Sequence, residues 1–316
     1  MHAAIDGAGS TSLADRVSLL LLGDSRDRVL FGQTQSTQCT GKLGGCRGTS
    51  RLNGTGAEHC YNFQWASPSH FPIASYWQST AGAHCRNDTR LAAFGYFLHY
   101  GVSSSGPYLH DWSTHGHPRW AGPGWSDACN VDGDSTCILN SAALAIEAAR
   151  RFMHRSPQDS RVHILFSSLL WDLGRRYEHH RRQSVGAWMD EYRANYTRII
   201  DELHAALTWP AALHSRRLST VLALSTPFDV PSAWPFFEGN QNATAVMTDA
   251  AAAHVRAVAR ARGLPLVDWH RSFRNEAARS SERLIDAYGH PSIGAGVRLA
   301  WREVERALMR TSTTST

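Results

Sequence analysis

The sequence predicts an α/β fold in which a parallel sheet is covered by helices on both faces. Three observations carry this expectation. Short, nearly unbroken apolar runs recur along the chain, as strands buried on both faces require. Alanine-rich segments with a one-sided apolar stripe separate the later runs. The length of 316 residues and an apolar content of 42 % suffice for one large core.

Taken in order, Val17–Leu22 is the first strand, all but one of its residues apolar. Leu91–Tyr100 is aromatic and strand-like. Val162–Phe166, Val221–Leu224 and Leu264–Val267 are shorter apolar runs. Helices are expected over Ile138–His154, over Ser184 to about Leu207, over Ala243–Arg262 and over Ile293–Met309. Ser184 is a capping residue, and Val185, Trp188, Tyr192, Ile199, Leu203 and Leu207 fall on one face of its helix. Gly263 is placed to end the third of these helices. Residues 1–15 and 311–316 read as flexible tails around one domain, 16–310. Long inserts at about 36–90 and 102–136 are rich in Gly, Ser, Cys and aromatics.

All six cysteines, Cys39, Cys46, Cys60, Cys85, Cys129 and Cys137, follow the first strand and precede the middle of the chain. Their even number and spacing favour disulfides over metal knuckles, without fixing the pairs. Asn53, Asn87, Asn195 and Asn242 each head a glycosylation triplet. Cysteines and acceptors together suggest a secreted protein or one resident in the secretory-pathway lumen (Golgi or ER). Met1–Ala14 lacks the pattern of a leader, so a leader or anchor is expected to lie outside this chain. No run approaches the roughly 20 apolar residues that span a bilayer. The net charge is +5, and Lys42 is the only lysine. The arginines are mostly scattered and no nucleic-acid module is visible; the charge suits an acidic glycan or nothing in particular.

Chemistry enters at Gly23-Asp24-Ser25, where the first strand stops. In open parallel sheets ligands sit beyond the carboxyl ends of the strands, so the Ser25 hydroxyl is expected in that crevice. A serine needs a base, and His290 is the candidate. Asp286 is the candidate to hold the imidazole in its working tautomer. The competing structural reading is a turn in which Asp24 or Ser25 caps the next helix. His110, His115 and His117 beside Asp111 match no standard zinc spacing. Trp112, Trp120 and Trp125 share that loop and offer flat faces to sugar rings, though a loop core is the plainer reading.

With these residues in view, the chain resembles the SGNH (GDSL-like) hydrolases. Within them it is most similar to the PC-esterase branch, which includes trichome-birefringence-like polysaccharide O-acetyltransferases. Three segments carry the resemblance: Gly23-Asp24-Ser25 with Arg28, Ser167-Ser168-Leu169-Leu170-Trp171-Asp172-Leu173, and Asp286 to His290. The resemblance implies a three-layer α/β/α sandwich with a five-stranded parallel sheet. It also implies a Ser25–His290–Asp286 triad and an oxyanion hole. The Ser25 N–H would be one donor of that hole. A glycine after the second strand would be another, with Gly101 chosen and Gly95 behind it. Trp171 stands where the wider family has an asparagine; its indole N–H is a donor, and a core aromatic is the equal alternative. Arg28 and Asp172 are assigned to substrate binding, with bracing of the site as their structural alternative. The expected partners are a glycan or glycoconjugate and, for transfer, an acetyl donor. No cofactor or metal is required.

The expected function is ester hydrolysis or O-acyl transfer on a glycan through an acyl-serine. The family separates its Asp and His by two residues, whereas three intervene here, Ala287, Tyr288 and Gly289. That departure keeps a second reading open: a secreted glycan-binding domain on the same fold, without activity.

Overall fold

The structure is a computed structural model. It describes residues 17–24, 26–27, 30, 49–51, 58–60, 74–78, 91–99, 101–102, 142–158, 160–170, 172–173, 184–208, 220–228, 241–285, 290–292 and 294–313. The strands are β1 (Val17–Gly23), β2 (Thr49–Arg51), β3 (Glu58–Cys60), β4 (Ala74–Gln78), β5 (Leu91–Leu98), β6 (Arg161–Phe166), β7 (Thr220–Ser225) and β8 (Leu266–Val267). The helices are α1 (Ala142–Arg155), α2 (Val185–Thr208), α3 (Gln241–Ala261), α4 (Trp269–Ala277) and α5 (Ala295–Thr313).

The main sheet runs β4-β5-β1-β6-β7-β8. Its five strands from β5 to β8 are parallel, and their order is that of flavodoxin-like doubly wound sheets. The expected five-stranded parallel sheet is therefore present. A sixth strand, β4, pairs antiparallel with β5 at one edge, and β2 and β3 form a separate antiparallel pair. These three lie inside the first insert, which the sequence reading treated as loop.

Alternation along the strands sends side chains to two cores. Leu20 and Leu22 of β1 join Ile164, Phe166, Leu222 and Leu224 beneath α1, α2 and α3. Leu19 and Leu21 join Phe94, Tyr96 and Leu165 beneath α4 and α5. All four leucines are buried, and each contributes about 2 kcal/mol of burial. This two-sided demand is why β1 reads as an unbroken apolar run. It also produces the three layers.

Local signals set the helix ends. Ser184 caps α2, its Oγ accepting the Ala187 N–H at 3.1 Å. At the end of α3, Leu264 N–H donates to Ala259 O and Gly263 N–H to Arg260 O, the paired bonds of a Schellman motif. α4 was not foreseen; Asp268 caps it, accepting from Arg271 N.

Candidate active site at the carboxyl edge of the sheet

β1 lies in the middle of the sheet, and the chain leaves it for β5 on one side and later returns to β6 on the other. The crevice between β1 and β6 is thus the topological switch point. Gly23 closes β1 there. A Cβ on Gly23 would stand 2.1 Å from both Asp27 Oδ2 and Ser167 Oγ, so only glycine lets these two groups approach the strand end. Ser167 N–H donates to Leu22 O and His99 N–H to Gly23 O, each at 2.8 Å, which ties the loops after β6 and β5 to the end of β1.

The two described neighbours of Ser25 are buried and fixed. Asp24 Oδ1 accepts the Arg26 N–H at 2.9 Å, so Asp24 caps the turn that follows, as the structural reading of the motif anticipated. The Arg26 guanidinium grips the same carboxylate, with Nη2 on Oδ2 at 2.6 Å and Nε on Oδ1 at 2.9 Å. Arg26 Nη2 also reaches Ser168 O at 3.3 Å, across the crevice. Tyr96 donates its hydroxyl to Asp24 O at 3.1 Å. One residue on, Asp27 accepts from the Ser167 hydroxyl, while Ser168 Oγ and Tyr192 OH lie 2.9 Å apart.

Electrostatics in this dry cluster follow from burial. Burial first, and the Asp24 carboxylate second, push Asp27 up to about 7, against the opposing pull of Ser167 and Arg26. Burial alone would lower Arg26, but Asp24 and then Asp27 outweigh it and hold the guanidinium above its ordinary value. Burial, followed by the charge of Asp172, raises the Tyr192 phenol. At neutral pH the phenol is therefore an intact hydroxyl, able to donate or accept.

Asp172 braces the neighbouring loops. Its Oδ1 accepts Val102 N–H at 2.7 Å and its Oδ2 accepts Leu169 N–H at 3.1 Å, joining the segments after β5 and β6. Gly101 is buried between them at φ +98°, and a Cβ there would fall 2.3 Å from Asp172 Oδ2. Leu169 is buried at φ +114°. A leucine in that conformation stores about 1–3 kcal/mol of strain, concentrated beside the crevice.

His290 is half-buried just before α5. An isolated bridge between Ile285 and Pro291 fixes the ends of the segment that carries Asp286 and His290. α5 runs antiparallel to the strands. Near its carboxyl end Ala307 and Leu308 share a small cavity with His163, early in β6, and Pro265, just before β8. In its first half Ala300 O accepts from Trp269 Nε1, just past β8. The amino end of α5, with His290 before it, therefore lies at the carboxyl edge of the sheet, where Asp24 also sits.

Of the expected site residues, the structure brings Gly101 and Asp172 together and places His290 at the same edge. Ser25, Arg28, Trp171 and Asp286 lie outside the described residues, as do His110, Asp111, His115, His117, Trp112, Trp120 and Trp125. Five of the cysteines lie outside them too; Cys60 ends β3, and its side chain is not described. Gly95, the second choice for the oxyanion hole, is inside β5 with the ring of Phe152 2.7 Å from where its Cβ would be. It serves packing between sheet and α1. Asn195 lies within α2 with its amide nitrogen buried, so it is no acceptor for a glycan in the folded protein. Among the described residues no group of side chains could hold a metal ion, and no helix is long and apolar enough to cross a membrane.

Sequence reasoning missed Arg26 and Asp27. Both stand inside the quoted motif, but a charged pair directly after a turn reads as solvated surface. The one available signal was the density of charge, Asp24-Ser25-Arg26-Asp27-Arg28, at the mouth of a buried strand.

Comparison with known proteins gives only loose likenesses to solved structures. No family model matches the chain, and no curated protein matches it. Among solved structures it is similar to the acetylxylan esterase Axe2 of Geobacillus stearothermophilus, with 15% identity over 92% of this chain and 93% of that one and a TM-score of 0.37. It is also similar to a Parabacteroides merdae protein described as a GDSL-like lipase, with 13% identity, 93% and 95% coverage and a TM-score of 0.40. Superpositions this loose carry no functional weight; the strand order and the crevice geometry stand on their own.

Proposed function

We propose that the protein is a serine-dependent ester hydrolase or O-acyltransferase acting on acyl esters of a glycan, with Ser25 as nucleophile. The observation that carries this reading is the clamp around position 25. Asp24, Arg26 and Asp27 are buried and bonded to one another or across the crevice to Ser167 and Ser168, at the switch point of the sheet. Nucleophilic attack requires a serine held at a constant position, and firm anchorage of both its neighbours is what such a residue needs.

In the proposed mechanism Ser25 Oγ attacks the acyl carbon as His290 takes its proton, with Asp286 stabilising the imidazolium. The oxyanion is held by the N–H groups of Ser25 and Gly101, with the Trp171 indole as a further donor. His290 then protonates the departing sugar oxygen, leaving an acyl-serine. Water or a second sugar hydroxyl gives its proton to His290 and attacks the acyl carbon. Collapse expels Ser25 Oγ, which recovers the proton. Water as acceptor completes hydrolysis; a sugar hydroxyl completes transfer.

The buried cluster suits this chemistry. Asp24 and Arg26 cancel, and burial, by raising Asp27 to about 7, lessens the negative charge it adds beside a developing oxyanion. Arg28 is proposed to meet the substrate. Asp172, with both oxygens already bonded to backbone, positions the loops instead. The clustered cysteines and the remaining glycosylation triplets support a secretory-pathway location.

Labelling with a serine-reactive fluorophosphonate tests the reading. Labelling that disappears in Ser25→Ala and His290→Ala supports it. An unlabelled wild type, under conditions that label a known esterase, favours the inactive glycan-binding reading.

A further inference from the structure

We propose that an open hollow beside α4 is a binding site for an oxyanion: a carboxylate, sulfate or phosphate group. The hollow has a volume of about 420 Å³ and is lined by Arg256, His270, Arg271, Arg274 and Asn275. Three of these five are arginines, and none is acidic.

Among the described residues, two nearby carboxylates are already committed. Asp268 accepts Arg256 Nε at 2.8 Å and Nη2 at 2.9 Å, the Thr226 hydroxyl at 3.1 Å and the Arg271 N–H at 3.2 Å. Asp249 Oδ1 takes Arg274 Nη2 at 2.6 Å and His270 Nε2 at 2.9 Å. Neither carboxylate lines the hollow. The Arg271 side chain, exposed on the first turn of α4, has no carboxylate partner among the described residues.

The cluster is also preorganised. Arg256 Nη2 donates to His270 Nδ1 at 3.1 Å, so the Nε2–H of the ring is the one that donates to Asp249. The imidazole is thereby fixed in a single tautomer and orientation, with His270 N–H anchored on Thr226 Oγ1 at 2.9 Å. Arg256 is held as a fork on Asp268. A guanidinium fixed by its own carboxylate, next to a second one that no described residue neutralises, matches the planar, multidentate contacts that oxyanions make.

The test uses the full chain and isothermal titration calorimetry at low ionic strength, with sodium sulfate, a galacturonate oligomer and a neutral xylo-oligomer as probes. Saturable binding of sulfate or of the galacturonate oligomer is expected, weakened at least tenfold in Arg271→Glu and also in Arg274→Gln. Binding of sulfate assigns the site to free anions; binding of the oligomer alone assigns it to an acidic glycan. The xylo-oligomer should be indifferent to both substitutions. Arg271 makes no described side-chain contact, so Arg271→Glu should fold as the wild type does by circular dichroism. The proposal is overturned if neither anion saturates the protein, or if Arg271→Glu binds as wild type. It stands or falls separately from the esterase reading, because calorimetry needs no turnover.

Discussion

Asp27→Asn gives a direct test of the charge state of the buried cluster that follows β1. The carboxyl sits at about 7 in the folded protein, against 3.8 when unperturbed, with burial and then Asp24 as the causes. Below pH 3.8 it is protonated in both the folded and the unfolded chain, and its contribution to stability is fully present. Between 3.8 and about 7 the unfolded chain ionises while the folded one keeps its proton, so stability falls as pH rises. Above about 7 both forms are ionised and the loss is complete. At about 1.4 kcal/mol per pH unit, the gap from 3.8 to about 7 amounts to about 4 kcal/mol as an upper bound. Asparagine has nearly the same shape, can keep a bond to Ser167 and never ionises. Urea unfolding of both proteins at about pH 4 and about pH 8 measures the effect. The variant should gain on the wild type by up to about 4 kcal/mol between the two conditions. Stability differences that stay constant across that range would refute the argument, because Asp27 would then ionise as freely in the fold as out of it.

Two further outcomes follow from the geometry. Gly101→Ala must place a methyl 2.3 Å from Asp172 Oδ2 at φ +98°, and should lose at least about 2 kcal/mol in urea unfolding; an unchanged midpoint would show that this loop is not fixed as described. His163, pushed down to about 4 by burial and then by Arg161, must stay neutral in the folded protein. Stability is therefore lost as pH falls from 6.5 towards about 4. His163→Leu should remove up to about 3 kcal/mol of that acid loss, measured by the same unfolding experiment at about pH 4 and about pH 7.

Much of the architecture was legible because burial on two faces leaves a plain trace. Leu19 to Leu22 must be apolar at every position, since odd residues face one core and even residues the other. Ser184 and Gly263 were legible because capping and Schellman geometry are local. β4 was not, because Ala74-Ser75-Tyr76-Trp77-Gln78 becomes a strand only by pairing with β5, a contact that leaves no mark on five residues read alone. The same holds for the site. Gly101 and Asp172 could be named from their positions after strands, but the bond from Val102 N–H that holds Asp172 beside Gly101 spans seventy residues of chain. Arg26 and Asp27 carry surface-like identities in buried places, and only the fold reveals that Asp24 and Ser167 bond them there.

The anchorage of Val102 has a consequence for how this molecule can diversify. The second long insert departs from the very residue whose amide Asp172 grips. Whatever hangs from that peg can lengthen, shorten or change composition while the peg stays put. Ring-closure entropy grows only slowly with length, by about 0.6 kcal/mol for each doubling. A lineage could thus refashion that insert while inheriting the framework at the carboxyl edge of the sheet untouched.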